Sequence, residues 1–217
     1  MRIAIFTEVF LPKIDGVVTR IIRTVDQLAE LGHEVVIFAT GDAPDTYAGF
    51  RVVRAPSFSL HKIYPEIQVG LPAPSVAREL ANFQPDIVHA VNPVFFSGYG
   101  ALLARRHKLP LLASFHTDVP AYTKELGIGF VQKPSTALIR ALHNRAQLNL
   151  VTSGPMMDTA AGYGFRNLAL WPKAVDTVGY HPDKFSPAMR NQLTDGNPDA
   201  PLPVSYTHLT LPTTPYV

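Results

Sequence analysis

His116 and Asp118 stand two residues apart, directly after the apolar run Leu111–Phe115. A histidine and a carboxylate in a loop at the carboxyl end of a strand can donate to and accept from the hydroxyls of a polar substrate. The imidazole can also shuttle a proton. Two potential ligands without a third, in a chain that has no cysteine, disfavour zinc. The structural alternative for His116 is a loop cap. Gly16 is the second candidate, because a glycine at a helix start lets an anion approach the first backbone N–H donors and the positive end of the helix dipole. Its competing role is to permit a tight turn. No G-x-G-x-x-G pattern stands beside it, which disfavours a nicotinamide oxidoreductase. Asn92, followed by Pro93, ends another apolar run and faces the same expected crevice. His89, inside that run, reads as a histidine held neutral by hydrogen bonds.

These residues need a frame. Ile3, Ile5 and Phe6, with Ala4 between them, suit a parallel strand buried on both faces. Over residues 17–31, Val18, Ile21, Ile22, Val25, Leu28 and Ala29 recur at spacings of three and four, with Arg20, Arg23, Asp26, Gln27 and Glu30 on the other face. That pattern predicts an amphipathic helix starting at Asp15-Gly16 and stopping at Gly32. Residues 35–39 then give a second strand and a right-handed βαβ unit. Further strands are expected at 50–55, 87–91, 111–115, 148–152 and 168–171, with helices at 74–83, 96–107 and 135–148 and one opening at Ser153-Gly154-Pro155. The fold class is therefore α/β, a Rossmann-like parallel sheet with helices on both faces, in which ligands sit outside the carboxyl ends of the strands.

Three stretches need separate comment. Residues 57–72 mix apolar and charged side chains and are left unassigned, a mobile flap over a cleft being the functional option. The basic run Arg105-Arg106-His107-Lys108 reads as a solvated, dipole-compensating helix end. Arg140 and Arg145 flank an apolar stripe, for which packing against the sheet is a commoner explanation than a membrane surface.

Composition bounds the function. With 19 Lys+Arg against 17 Asp+Glu there is no electrostatic case for nucleic acid. The lack of cysteine excludes disulfides and thiolate chemistry. No apolar run approaches the roughly 20 residues needed to span a bilayer, so a soluble cytoplasmic protein is the default. From residue 172 to 217 stand 8 of the 20 prolines without sustained helical or strand periodicity, a linker-like composition. The expected organisation is a Rossmann-like domain over 1–171, a linker over 172–204 and a disordered, non-native tail over 205–217.

Three stretches together carry a family resemblance: Phe10-Leu11-Pro12 through Asp15-Gly16-Val17, Ser114-Phe115-His116-Thr117-Asp118-Val119-Pro120, and Leu170-Trp171-Pro172 through Val175-Asp176. In order and spacing they resemble the N-terminal domain of the retaining glycosyltransferases of family four, which have the two-Rossmann-domain GT-B architecture. The first loop most resembles the branch of sulfoquinovosyl- and mannosyltransferases. The resemblance implies transfer of a hexose from a nucleotide-sugar to a lipid or other small hydroxyl acceptor with retained configuration, without a metal or other cofactor. It places Gly16 against the donor diphosphate and His116, as donor contact and catalytic candidate, against the donor sugar. Asp15, Asn92, Asp118 and Tyr122 become candidate acceptor contacts. It also allows peripheral contact with the inner face of the membrane.

Two features depart from the family pattern. Lys173-Ala174 replaces the common Arg-Gly before Val175-Asp176, which bears on the local turn. The second Rossmann domain is missing, and residues 205–217 look like a translated sequencing adapter, so the chain is expected to be inactive by itself. The rival reading is a stand-alone Rossmann or flavodoxin-like module that binds a small anion or nucleotide at Gly16.

Overall fold

A computed structural model describes residues 1–59, 68–125, 127–172, 177–179, 181–197 and 199–202. The chain divides into two units, Met1–Pro172 and Lys173–Val217. The first unit opens with β1 (Arg2–Phe6), α1 (Gly16–Glu30), β2 (Glu34–Thr40), β3 (Thr46–Tyr47), β4 (Phe50–Ala55), β5 (Ser57–Ser59), β6 (Gln68–Gly70) and α2 (Pro74–Phe83). It continues with β7 (Ile87–Val91), α3 (Phe96–Arg106), β8 (Leu111–Phe115), α4 (Val119–Glu125), α5 (Gln132–His143), β9 (Leu148–Val151), α6 (Gly154–Gly162) and β10 (Leu168–Leu170).

One sheet runs in the order β10-β9-β8-β7-β1-β2-β4-β3. Its pairs are parallel except β3 with β4. β1 lies between β2 and β7, with Ile3 opposite both Val35 and Ile87. Its apolar run is buried on both faces, as a central parallel strand requires. On one face Ala4, Phe6, Phe38 and Val88 meet Val76 and Leu80 of α2 and Phe96 and Ala101 of α3. On the other, Ile5, Val35 and Ile37 meet Ile21 and Val25 of α1. Helices therefore cover both faces, and each of these large side chains contributes about 1.5–3 kcal/mol on burial.

The ends of the helices follow local chemistry. Asp15 caps α1, its Oδ1 accepting from the N–H groups of Val17 and Val18 at 2.8 and 2.9 Å. Gly32, at φ +72°, closes it. The first N–H groups of α3 are capped from far away in the sequence: Phe95 and Ser97 donate to Oε1 of Glu8 at 3.1 and 3.0 Å. Burial pushes the Glu8 carboxyl up to about 7, with these backbone bonds only partly offsetting it. Its Oε2 is buried without a hydrogen-bond partner among the described residues.

Several expectations are corrected. The helix expected over 135–148 runs over Gln132–His143. Ala146 extends the apolar stripe past the helix because it is buried from within a turn, against the core beneath α3. β3 and α4 add to the expected set, both too short to show a period. The unassigned stretch contains the antiparallel pair β5 and β6, with Ser57 opposite Gly70. The centre of the expected flap, 60–67, lies outside the described residues, as do the departure at 173–176 and the tail from 203 onward.

In the second unit, a 3-10 turn, Pro182–Lys184, precedes α7 (Pro187–Leu193), where no helical period was expected. Seven residues are too few to display one. The start signal is Ser186-Pro187, the serine Oγ accepting from Met189 N at 3.2 Å. No helix among the described residues is long and apolar enough to cross a membrane.

Two predictions concern this frame. Gly100 of α3 lies against Phe6, and a Cβ there would collide with the ring. Gly100→Ala should lower stability by about 1–3 kcal/mol in urea unfolding, and an unchanged midpoint would contradict the close approach. Glu8 has a folded-state pKa above its ordinary 4.5, so the stability it contributes is present below that value and is lost as pH rises through about 7. Glu8→Gln fixes the neutral form. Its stability relative to wild type should therefore rise by about 3 kcal/mol between pH 4.5 and 8, and a pH-independent difference would refute the assignment.

Candidate functional site

The carboxyl ends of β1, β7 and β8, together with the segment leaving β10, bring the expected site residues to one end of the sheet. His116 follows β8 directly. Its Nε2 lies 2.9 Å from Oγ of Ser114, and that same oxygen lies 2.9 Å from Nε2 of His89. Trp171, just after β10, sets its ring against both imidazoles, with centroids 5.9 Å away in each case. Arg20 of α1 completes the cluster. Its guanidinium stacks over Trp171 at 4.5 Å, and Nη1 donates to the Trp171 carbonyl at 2.6 Å. Nη2 of Arg20 is buried without a hydrogen-bond partner among the described residues.

The electrostatics of this cluster suppress protonation. Burial lowers His116 to about 3, with the neighbouring His89, Arg20 and His143 adding to the effect. Burial lowers His89 to about 4. Both rings are neutral at physiological pH, as expected for His89. A neutral imidazole offers one donor and one acceptor, which suits the recognition of hydroxyls.

The other expected residues have structural bonds of their own. Asn92, at φ +48°, turns its Oδ1 to accept from the N–H groups of His116 and Thr117 at 3.3 and 3.2 Å, joining the loops after β7 and β8. Asp118 points elsewhere. Its Oδ1 accepts from Ala121 N at the start of α4 and from the hydroxyl of Tyr163, whose proton also reaches Oδ2. Burial, then the bond and charge of Asp118, push the Tyr163 hydroxyl up to about 12. His116 and Asp118, expected as one polar pair, thus have separate sets of partners. Tyr122 lies half-buried on α4, its N–H bonded to the Asp118 carbonyl at 3.2 Å.

At the start of α1, Asp15 takes the N–H groups of Val17 and Val18, and its Oδ2 lies 3.8 Å from Nζ of Lys13. Fewer N–H donors are therefore open to an anion than the sequence suggests. Gly16 itself is exposed and begins the helix. A Cβ built there would meet nothing within 4 Å, and its φ is not left-handed. Neither a turn nor the packing requires a glycine at this position.

Arg20, Ser114 and Glu8 escape attention in the sequence. Arg20 reads as one more cation on the polar face of α1. Its signal is the spacing of four from Gly16, which puts both residues on the same helix face. Glu8 carries a weaker signal, a carboxylate immediately after the central strand.

Comparison with known proteins adds a second line of evidence. The model of Glycosyltransferase Family 4 matches residues 14–178. A GDP-mannose-dependent alpha-mannosyltransferase of Mycolicibacterium smegmatis is 35% identical over 210 residues, covering 91% of this chain and 54% of that protein. A counterpart of the same name from Corynebacterium glutamicum is 31% identical, covering 88% and 47%. A sulfoquinovosyl transferase of Arabidopsis thaliana is 34% identical, covering 93% and 40%. The chain spans about half the length of the curated relatives it matches. Sucrose-phosphate synthase of Thermosynechococcus elongatus has the same fold, with a TM-score of 0.60 at 14% identity over 89% of this chain and 52% of that one. With the family model covering most of the chain and relatives of one kind aligned along nearly all of it, the chain belongs to glycosyltransferase family 4.

Proposed function

We propose that this chain supplies the Gly16 and His116 side of a glycosyl transfer from a nucleotide-sugar to a lipid or other hydroxyl acceptor, with retention of configuration. The observation that carries the reading is Gly16. It is a glycine that the fold does not need, at the carboxyl end of the central strand, with open space where a side chain would stand. A diphosphate approaching the backbone there gives it a reason. Arg20, one turn further along α1, offers the unpaired Nη2 to the same anionic group. His116 then meets the sugar as a neutral hydrogen-bond partner, and the loops carrying Asn92 and Asp118, with Tyr122 on α4, flank the acceptor, with Asp15 at the rim.

The names of the relatives support this assignment of substrates, since they include mannosyl and sulfoquinovosyl transferases and an alpha-monoglucosyldiacylglycerol synthase of Streptococcus pneumoniae. A diacylglycerol-type acceptor implies work at a membrane surface, which we propose is met peripherally from the cytoplasmic side. No cofactor beyond the nucleotide-sugar substrate enters the proposal. Transfer needs both substrates held in attack geometry. The relatives are about twice as long as this chain, so donor binding and transfer are best measured separately, and transfer by this chain alone is expected to be negligible.

Gly16→Ala tests the proposal directly. Calorimetry with GDP-mannose and UDP-glucose should show donor affinity falling at least about tenfold. Thermal melting should hold or rise, because alanine is the better helix residue by up to about 1 kcal/mol. Donor binding unchanged by this substitution would remove the reading and leave a structural glycine. A pH series adds a second check. With His116 neutral above about 3, donor affinity should show no step between pH 5.5 and 8 that His116→Gln abolishes, and such a step would mean that the histidine acts as a cation.

A further inference from the structure

Ser114 sits fully buried on β8 between two imidazoles. Its Oγ is 2.9 Å from Nε2 of His89 and 2.9 Å from Nε2 of His116, and both rings are neutral. The proton count at these three atoms is restrictive. The hydroxyl has one proton to donate. If both Nε2 atoms carried protons, that hydroxyl proton would be buried with no acceptor among its contacts. If neither did, one ring lone pair would face the oxygen's own lone pairs. Only one arrangement forms both bonds and also leaves no proton without an acceptor: the hydroxyl donates to one bare Nε2 and accepts from the other Nε2–H.

We propose that Ser114 couples His89 and His116 in opposite tautomers, which fixes whether Nδ1 of His116 donates or accepts toward the substrate. His89 and Ser114 are then positioning residues, acting through His116. The geometry supports a rigid device. Trp171 stands across both rings and is itself held by the stacked guanidinium and the carbonyl bond of Arg20. The loop of His116 is tied down by Asn92. With Nε2 engaged, Nδ1 is the ring nitrogen of His116 for which the described residues supply no hydrogen-bond partner. A free imidazole exchanges between tautomers and would present the wrong polarity to a sugar hydroxyl in part of the population. Coupling to a second buried histidine removes that fraction before the ligand arrives. The assignment of Nδ1 to a sugar rests on the proposed donor site, whereas the coupling itself does not.

The test separates the two. Ring nitrogen shifts of the 217-residue chain labelled with ¹⁵N-histidine report each tautomer, with His89→Gln and His116→Gln providing the assignments. At neutral pH the two rings should be in opposite forms, and finding both in the same form would overturn the proposal. In Ser114→Ala the tautomer ratio of His116 should relax toward that of free imidazole by about fivefold, the worth of one net hydrogen bond. His143, whose Nδ1 is held 2.7 Å from Oδ1 of Asn149, should keep its signal and so report an intact fold. A His116 ratio unmoved in Ser114→Ala would also overturn the coupling. Adding GDP-mannose at about 1 mM then examines the donor reading alone. A shift at Nδ1 of His116 supports it, and no shift at either nitrogen counts against the sugar contact while leaving the coupling in place.

Discussion

The contact on which the ligand end of the sheet depends is the packing around Phe6. It is the last residue of the central strand, fully buried, with its ring stacked on Phe38 at 4.4 Å and tilted against Phe96 at 5.6 Å. Gly100 lets α3 approach that ring, and the Ser97 hydroxyl donates to the Phe6 carbonyl at 3.0 Å. Three elements are thereby fixed at the point where β1 gives way to its loop. Everything beyond is positioned from there: Thr7, whose N–H still bonds to Phe38 in ladder fashion, then Glu8 under α3, then Asp15 and Gly16 at the start of α1. Interiors this dense do not deform continuously, so a displacement of Phe6 would be transmitted to the loops as a whole.

Burial then decides the chemistry of the titratable groups at that end. It acts in opposite directions on acids and bases because it penalises whichever form is charged. The Glu8 carboxyl is pushed up and the imidazoles of His89, His116 and His143 are pushed down. The consequence is a region of neutral, directional hydrogen-bonding groups beside the guanidinium of Arg20. Such a region favours recognition of hydroxyls over strong general-base catalysis. A base with a pKa near 3 is a poor match for abstracting a proton at neutral pH.

The parallel sheet was legible in the sequence because a strand buried on both faces must be almost continuously apolar, and the runs ending at Phe6, Val91 and Phe115 are, broken only by His89 and Ser114. α1 was legible because a long surface helix must repeat its apolar face. The short elements were not: β3, α4 and α7 contain too few residues for either period to appear, and the two helices announce themselves only by single caps, Asp118 and Ser186. The site divided in the same way. Gly16 stands at a helix start and His116 at a strand end that could be located, so their positions could be expected. Their partners could not, since Arg20 reaches Trp171 across 151 residues and Phe95 reaches Glu8 across 87. Those pairings are products of topology. Asp118 shows the converse limit: proximity in sequence to His116 says nothing about direction, and Tyr163, 45 residues away, holds the carboxylate elsewhere.

The start of α1 shows how helix-dipole reasoning must be adjusted once side chains are in place. A bare helix N-terminus offers several N–H donors to an anion. Here Asp15 occupies two of them and brings a negative charge of its own, with Lys13 3.8 Å away as partial compensation. An approaching diphosphate would meet repulsion unless another cation lay within reach. Arg20 lies on the same face, one turn on, and its Nη2 is buried without a partner among the described residues. An unpaired guanidinium donor is costly in a desolvated position, and burial depresses its pKa accordingly. The cost is offset if an anionic oxygen occupies the space, because a charge-assisted bond to Arg is among the stronger contacts available. In the proposed donor site Gly16 would provide the room and Arg20 the charge, which the capped N-terminus of α1 supplies only in part.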